Sequence, residues 1–299
     1  MSEILVGFDG TDSGRDALAF ARRLAGMTGS QLRLANAFPY DDTRSRASND
    51  TFRAALREDA QAVLAGADAG DAPRHAVADV SPAHALHELA ETTDASLVVV
   101  GSTHRGPIGC VLPGSTAERL LHGAPCPVAI VPQGYASREH ELHVIGVGYD
   151  GSEESEIALN TATELARRLD AELRVFRVFD STQIGTPALM QGPGYISLPK
   201  EIEATQRSGL EQRVAKLGED VRVEGIFLAG SPGRELSELT EDVDLLVMGS
   251  RGYGPMRAVL LGGVSHALVR KAACPVIILP RGIHTGLQAI LEPAAEASA

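Results

Sequence analysis

Two acid–glycine pairs, Asp9-Gly10 and Asp150-Gly151, each close an apolar run, and each half of the chain later carries a glycine-rich segment behind another apolar run. The first segment, from Gly101, reads GSTHRGPIGCVLPGS and ends at Gly114-Ser115; the second, from Gly249, reads GSRGYGPMRAVLLGG and ends at Gly262-Gly263. Glycine lets backbone N–H groups come close to an anion, and a helix N-terminus behind the loop adds a favourable dipole. Phosphate is the expected guest, and a nearby aspartate suits a ribose hydroxyl or an adenine amino group. Plainer readings stand beside these. Asp-Gly is a common turn pair, and Ser115 with Glu118 spells a capping box whose hydroxyl would serve its own helix.

Other chemistry is sparse. Lysine occurs only at Lys200, Lys216 and Lys271, and no Gly-Lys pair exists, so a P-loop of the GxxxxGK[ST] type is excluded. Gly146 to Gly151 matches the dinucleotide pattern GxGxxG, but the first half has Leu5 where the second has Gly146. The next acid, Asp180, also comes later than the roughly 20 residues that pattern expects, so the match reads as coincidence. His84 and His87 sit one turn apart at metal-ligand spacing, yet Arg234 and Ser237 align with them, and an exposed helix face is expected. Cys110, Cys126 and Cys274 are too few and scattered for a disulfide framework or zinc cage, which points to a reduced, cytoplasmic setting. Cys126 and Cys274 are expected as small buried residues at the start of a fifth strand. Cys110 reads as a small loop residue or a reactive thiol.

The elements behind these loops come in duplicate. LVGFDGTDSGRDAL matches VIGVGYDGSEESEIAL, and CPVAIVP from Cys126 matches CPVIILP from Cys274. The offset between copies grows by seven from the opening blocks to the later ones, which places extra residues in DSTQIGTPALMQGPGYISLPK. Met190 and Tyr195 in that stretch are expected to cover the second site as a lid. Each copy alternates strands and helices. Helices are expected from about Ser13 to Met27 and Thr51 to Ala67, and others begin at Ser81-Pro82 and Ser231-Pro232, with serine as cap and proline in the first turn. The continuous apolar runs at Leu97–Val100 and Leu245–Met248 suit strands buried on both faces. Such alternation implies parallel sheets with right-handed crossovers, hence an α/β protein of two doubly wound domains. Boundaries are expected at residues 1–133 and 142–282, with PQGYASREHE as linker and 283–299 as a flexible tail.

The 299 residues suit two domains, and 44% hydrophobic with 22% charged residues suits globular cores. A net charge of −12 argues against nucleic acid held by bulk electrostatics. No run reaches the roughly 18 apolar residues of a membrane span, and MSEILVGFDG lacks a basic region and cleavage site, so neither membrane segment nor signal peptide is expected.

The glycine loops resemble the GxxG-x9-G[ST] nucleotide signature of the universal stress protein family, twice and over nearly the whole chain. That resemblance implies, in each domain, a five-stranded parallel sheet of order 3-2-1-4-5, with ATP between the first and fourth strands, with or without Mg2+. It implies that Asp9 and Asp150 meet the adenine end, Ala37 and Val178 line the base pocket, and Gly101 and Gly249 lie by the ribose. Gly114-Ser115 and Gly262-Gly263 would hold phosphates, and Val100, His104, Gly106, Met248 and Gly252 complete the two sets. His104 replaces the second signature glycine in the first copy, and Gly263 replaces the hydroxyl residue in the second. Histidine tolerates a left-handed backbone better than most residues. A lost hydroxyl contact costs about 0.5–1.5 kcal/mol. The resemblance further implies a stress-responsive nucleotide module with at most slow hydrolysis. Its fifth strands, Val128–Val131 and Val276–Leu279, would pair either within the chain or in a homodimer. Two alternatives stay open: an interaction protein of the same fold that binds no nucleotide, and a nucleotide-using enzyme.

Overall fold

The structure, a computed structural model, describes residues 2–40, 50–102, 116–137, 141–180, 198–218, 220–250 and 263–281. The first half runs β1 (Glu3–Gly7), α1 (Asp12–Thr28), β2 (Gln31–Phe38), α2 (Asp50–Ala65), β3 (Arg74–Ala78), α3 (Pro82–Thr92), β4 (Leu97–Gly101), α4 (Thr116–Leu121) and β5 (Val128–Val131). The second half repeats it as β6 (Val144–Gly148), α5 (Glu153–Leu169), β7 (Glu172–Phe179), α6 (Leu198–Val214), β8 (Val223–Ala229), α7 (Pro232–Leu239), β9 (Leu245–Gly249), α8 (Gly263–Lys271) and β10 (Val276–Leu279). Each half pairs its strands in parallel in the order 3-2-1-4-5, as the resemblance implies. The two fifth strands then pair antiparallel, Ala129 opposite Ile277, and join both halves into one ten-stranded sheet.

Local chemistry starts the helices where the sequence places them. Thr11 and Ser152 cap α1 and α5, each accepting from the backbone N–H three residues on. Ser81 caps α3 in the same way; Ser231 precedes Pro232 of α7 without a side-chain cap bond. The central strands carry the core: Ile4, Leu5, Val6 and Leu97–Val99 are wholly buried. One face of the sheet packs on α1, α2, α5 and α6, the other on α3, α4, α7 and α8, and each apolar layer draws side chains from both halves. No helix among the described residues is long and apolar enough to cross a membrane.

Two features were not legible as packing. The polar stretch after β5 is docked rather than loose up to Ser137: Tyr135 is 4% exposed and meets Phe20 edge-on, with ring centroids 5.7 Å apart. The carboxylate of Asp16, itself 2% exposed, accepts the N–H groups of Gly134 (2.8 Å) and Ala136 (2.7 Å). The second feature is an exchange of volume between the copies. Where the first has Leu5 on β1 and Ala35 on β2, the second has Gly146 on β6 and Phe176 on β7. A Cβ on Gly146 would lie 2.7 Å from the Phe176 ring, so Gly146 is small to admit Phe176. The dinucleotide pattern at this point is thus explained by packing.

Two histidines of the first half, one on β3 and one on α3, are shifted in opposite directions. His75 on β3 is held below its ordinary value by burial and by the Arg33 guanidinium, so its stabilising contribution is present above pH 6.5 and is lost as pH falls through its lowered value. His84 on α3 is raised by its hydrogen bond and charge contact with Asp79, so its contribution is present below pH 6.5 and fades as pH rises through the raised value. NMR titration of the folded protein is expected to put His84 above 6.5 and His75 below it; the reverse order would contradict both contacts.

Candidate functional site

At the carboxyl end of β1 the chain turns through Asp9-Gly10, with Gly10 at φ 76°, a left-handed conformation that glycine adopts without strain. Asp9 Oδ1 accepts from the Thr11 N–H (3.0 Å) and the Thr11 hydroxyl (2.6 Å), and Thr11 in turn caps α1. The second copy repeats the turn: Gly151 has φ 86°, and Asp150 Oδ1 accepts from the Ser152 N–H at 2.9 Å. Both acids therefore build their own turns, as the plainer reading has it. The exposed carboxylate of Asp9 spends one oxygen there.

The end of the fourth strand meets this turn closely. A Cβ on Gly101 would lie 2.0 Å from the carbonyl oxygen of Ser13, and one on Gly249 would lie 2.4 Å from that of Glu154. Gly101 and Gly249 thus admit the first turns of α1 and α5. The Ser13 hydroxyl donates to the Ser102 carbonyl at 3.0 Å, closing the junction in the first copy. This is where neighbouring strands β1 and β4, or β6 and β9, lead their connections to opposite faces, the place where open parallel sheets collect ligands.

One residue further on, both copies hold a serine that the sequence reading passed over. Ser102 and Ser250 extend the ladder, their N–H groups donating to Val131 O (2.8 Å) and Leu279 O (3.0 Å). Their side chains are buried, at 3% and 1% exposure, and neither hydroxyl oxygen has a hydrogen-bond partner among the described residues. Leaving such a group unsatisfied costs about 1–3 kcal/mol. The signal available in the sequence is the Gly-Ser pair repeated at matched positions.

Of the other candidate residues, Ala37 and Val178 are half-buried near the ends of β2 and β7, one strand from the turn. Val100 and Met248 are buried in the layer facing α3, α4, α7 and α8, against Gly7 and Gly148 of the neighbouring strands. Gly263 opens α8. His104, Gly106, Gly114, Ser115, Gly252 and Gly262 lie outside the described residues, as do Cys110, Met190 and Tyr195.

The copies differ beside the acid–glycine turn. In the first, Val63 of α2 flanks Gly10, and Asn36 of β2 donates its amide to Phe8 O at 2.9 Å. In the second, Arg177 of β7 takes the place of Asn36. Its guanidinium lies 5.8 Å from the centre of the Tyr149 ring, with its terminal nitrogens 3.7 and 3.9 Å from where a Cβ on Gly151 would stand. Tyr149 donates its hydroxyl to Glu156 (2.6 Å), which also receives Arg213 (2.9 Å). Burial first, then Glu156, pushes the Tyr149 hydroxyl up to about 12.

The histidines on α3 separate rather than converge. His84 is exposed and bonds Asp79 at 2.6 Å, while half-buried His87 donates from Nε2 to Gly123 O at 2.9 Å. Cys126 and Cys274 are buried just ahead of β5 and β10, and burial pushes both thiols up to about 12, which leaves them unreactive.

Comparison with known proteins agrees with this architecture. A model described as the universal stress protein family matches residues 1–132 and again 141–280. A universal stress protein of Mycolicibacterium smegmatis is 31% identical over 293 residues, spanning 92% of this chain and 96% of that protein. One from Mycobacterium tuberculosis is 28% identical over 287 residues, spanning 92% and 95%. Among solved structures, a universal stress protein from Archaeoglobus fulgidus superposes with a TM-score of 0.67 at 20% identity, covering 94% of this chain and 98% of its own, a likeness of fold.

Proposed function

The chain belongs to the universal stress protein family, with a family domain in each half, and from that premise we propose that it is a regulatory module binding one ATP in each of two clefts. Each cleft lies at the carboxyl edge between the first and fourth strands of its half. Asp9 or Asp150 would meet the adenine, with Ala37 or Val178 beside it. Gly101 and Val100, or Gly249 and Met248, would form the floor. The loops carrying His104, Gly106 and Gly114-Ser115, or Gly252 and Gly262-Gly263, would wrap the phosphates, with or without Mg2+. Bound ATP would supply an acceptor-rich triphosphate for these amides and hydroxyls to grip. The signalling role and a cytoplasmic setting, consistent with two buried free thiols, are parts of the same reading.

The observation that carries the reading is the pair of buried hydroxyls, Ser102 and Ser250, at matched positions on the same edge and without a hydrogen-bond partner among the described residues. A hydroxyl donates readily to a phosphate or ribose oxygen, so these groups fit such a ligand. Calorimetric titration of nucleotide-stripped protein is expected to show uptake of two ATP per chain. No uptake would leave the alternative, an interaction protein of this fold.

The serines allow a sharper separation. Ser102→Ala and Ser250→Ala should leave folding stability unchanged or slightly raised, because each removes an unsatisfied buried group. ATP affinity at the altered cleft should fall about 2- to 10-fold, the equivalent of one hydrogen bond. A variant that loses stability but keeps its affinity would mean the hydroxyl serves the fold.

A further inference from the structure

We propose that the two clefts, both able to take ATP, differ in the base they prefer: the first prefers adenine, and the second binds a guanine nucleotide, recognised by Arg177, more tightly than ATP. This rests on the nucleotide reading above and concerns the residues beside the acid–glycine turn, where that reading sets the base.

Asn36 and Arg177 occupy the same position of the second strand in each copy. Asn36 spends one of its two amide N–H donors on Phe8 O, which leaves one donor and the carbonyl oxygen, the mixed pair that suits adenine's N7 acceptor and exocyclic amine. Adenine presents an exocyclic amine that donates to such an oxygen. Guanine presents two acceptors, O6 and N7, in its place.

Arg177 removes the acceptor and leaves only donors. A guanidinium only donates, in a planar fork that matches two adjacent acceptors. The fork is fixed from behind by the Tyr149 ring and reaches Gln206 Oε1 at 3.4 Å, and no carboxylate pairs with it among the described residues. The nearby charge is already balanced, since Glu156 takes both Arg213 and the Tyr149 hydroxyl. Arg177 therefore keeps its terminal nitrogens over Gly151. In the first copy the flank of the turn is a valine methyl, 3.0 Å from where a Cβ on Gly10 would stand. One turn is thus flanked by a methyl group, with an amide bonded to the Phe8 carbonyl beside it, and the other by a cation with paired donors.

The test titrates full-length, nucleotide-stripped protein with ATP and GTP, singly and in competition. The wild type is expected to hold one equivalent of GTP more tightly than ATP and one of ATP more tightly than GTP. Arg177→Asn should weaken GTP at the second cleft about tenfold or more, the discrimination a bidentate contact carries, and leave the first cleft unchanged. Arg177→Lys keeps the charge without the fork and should lose most of the preference as well. Thermal melts of both variants check folding; neither substitution breaks an ion pair among the described residues. Two ATP per chain with a GTP-to-ATP ratio untouched by either variant would overturn the proposal and leave the nucleotide reading standing. Failure of the wild type to bind either nucleotide would overturn both.

Discussion

Gly101→Ala is expected to remove most of the protein's stability, on the order of 4 kcal/mol or more, and Gly249→Ala nearly as much. The new Cβ in the first variant would sit 2.0 Å from the Ser13 carbonyl oxygen and 2.6 Å from its carbon; in the second it would sit 2.4 Å from the Glu154 oxygen. These are backbone atoms in the first turn of a helix, so no rotamer change relieves the contact. The helix would have to move as a body, and α1 is tied down by Ala17, Leu18, Phe20 and Ala21, all buried. Native domains have only about 5–15 kcal/mol to lose. Urea unfolding of the two variants measures the effect directly. A Gly101→Ala protein that unfolds near the wild-type midpoint yet no longer takes ATP would show that the glycine makes room for ribose, as the family resemblance implies, and that the helix can yield.

What was legible in the sequence follows from periodicity. Apolar runs such as Leu97–Val100 and Val276–Leu279 mark buried strands because a parallel sheet covered on both faces must be apolar on both. Ser81-Pro82 marks a helix start because the cap chemistry is local. Duplication then gives two like halves. The site was legible as segments but not as contacts. A glycine at position 101 announces a close approach and does not say whether a ligand or Ser13 makes it. Ser102 and Ser250 look like ordinary loop serines until burial shows that none of the described residues answers their hydroxyls. Asp16 looks like a surface residue of an amphipathic helix, and only the docking of Gly134 and Ala136 onto it explains why it is buried. Such facts depend on residues far apart in the chain, up to 120 positions for Asp16 and Ala136, which no local pattern encodes.

The exchange between Leu5/Ala35 and Gly146/Phe176 gives a second large effect, with an internal rescue. Gly146→Leu alone forces a branched side chain into space bounded by the Phe176 ring at 2.7 Å, Leu246 at 3.2 Å and Val243 at 3.3 Å from the new Cβ. Overpacking of this kind costs about 1–3 kcal/mol, and more where neighbours cannot shift. Phe176→Ala alone empties a site that is 1% exposed and should cost about 3–5 kcal/mol. The double variant installs the pair that the first copy already uses on the same strands. Its stability loss should be smaller than the sum of the single losses by about 1–3 kcal/mol, the coupling expected of residues in direct contact. Urea titration of the four proteins in the cycle measures that coupling, and strict additivity would mean the two positions do not share one volume. The same double variant lacks the first glycine of GxGxxG. If Gly146 serves packing alone, nucleotide uptake at the second cleft persists once stability is restored; its loss would return that glycine to the binding machinery.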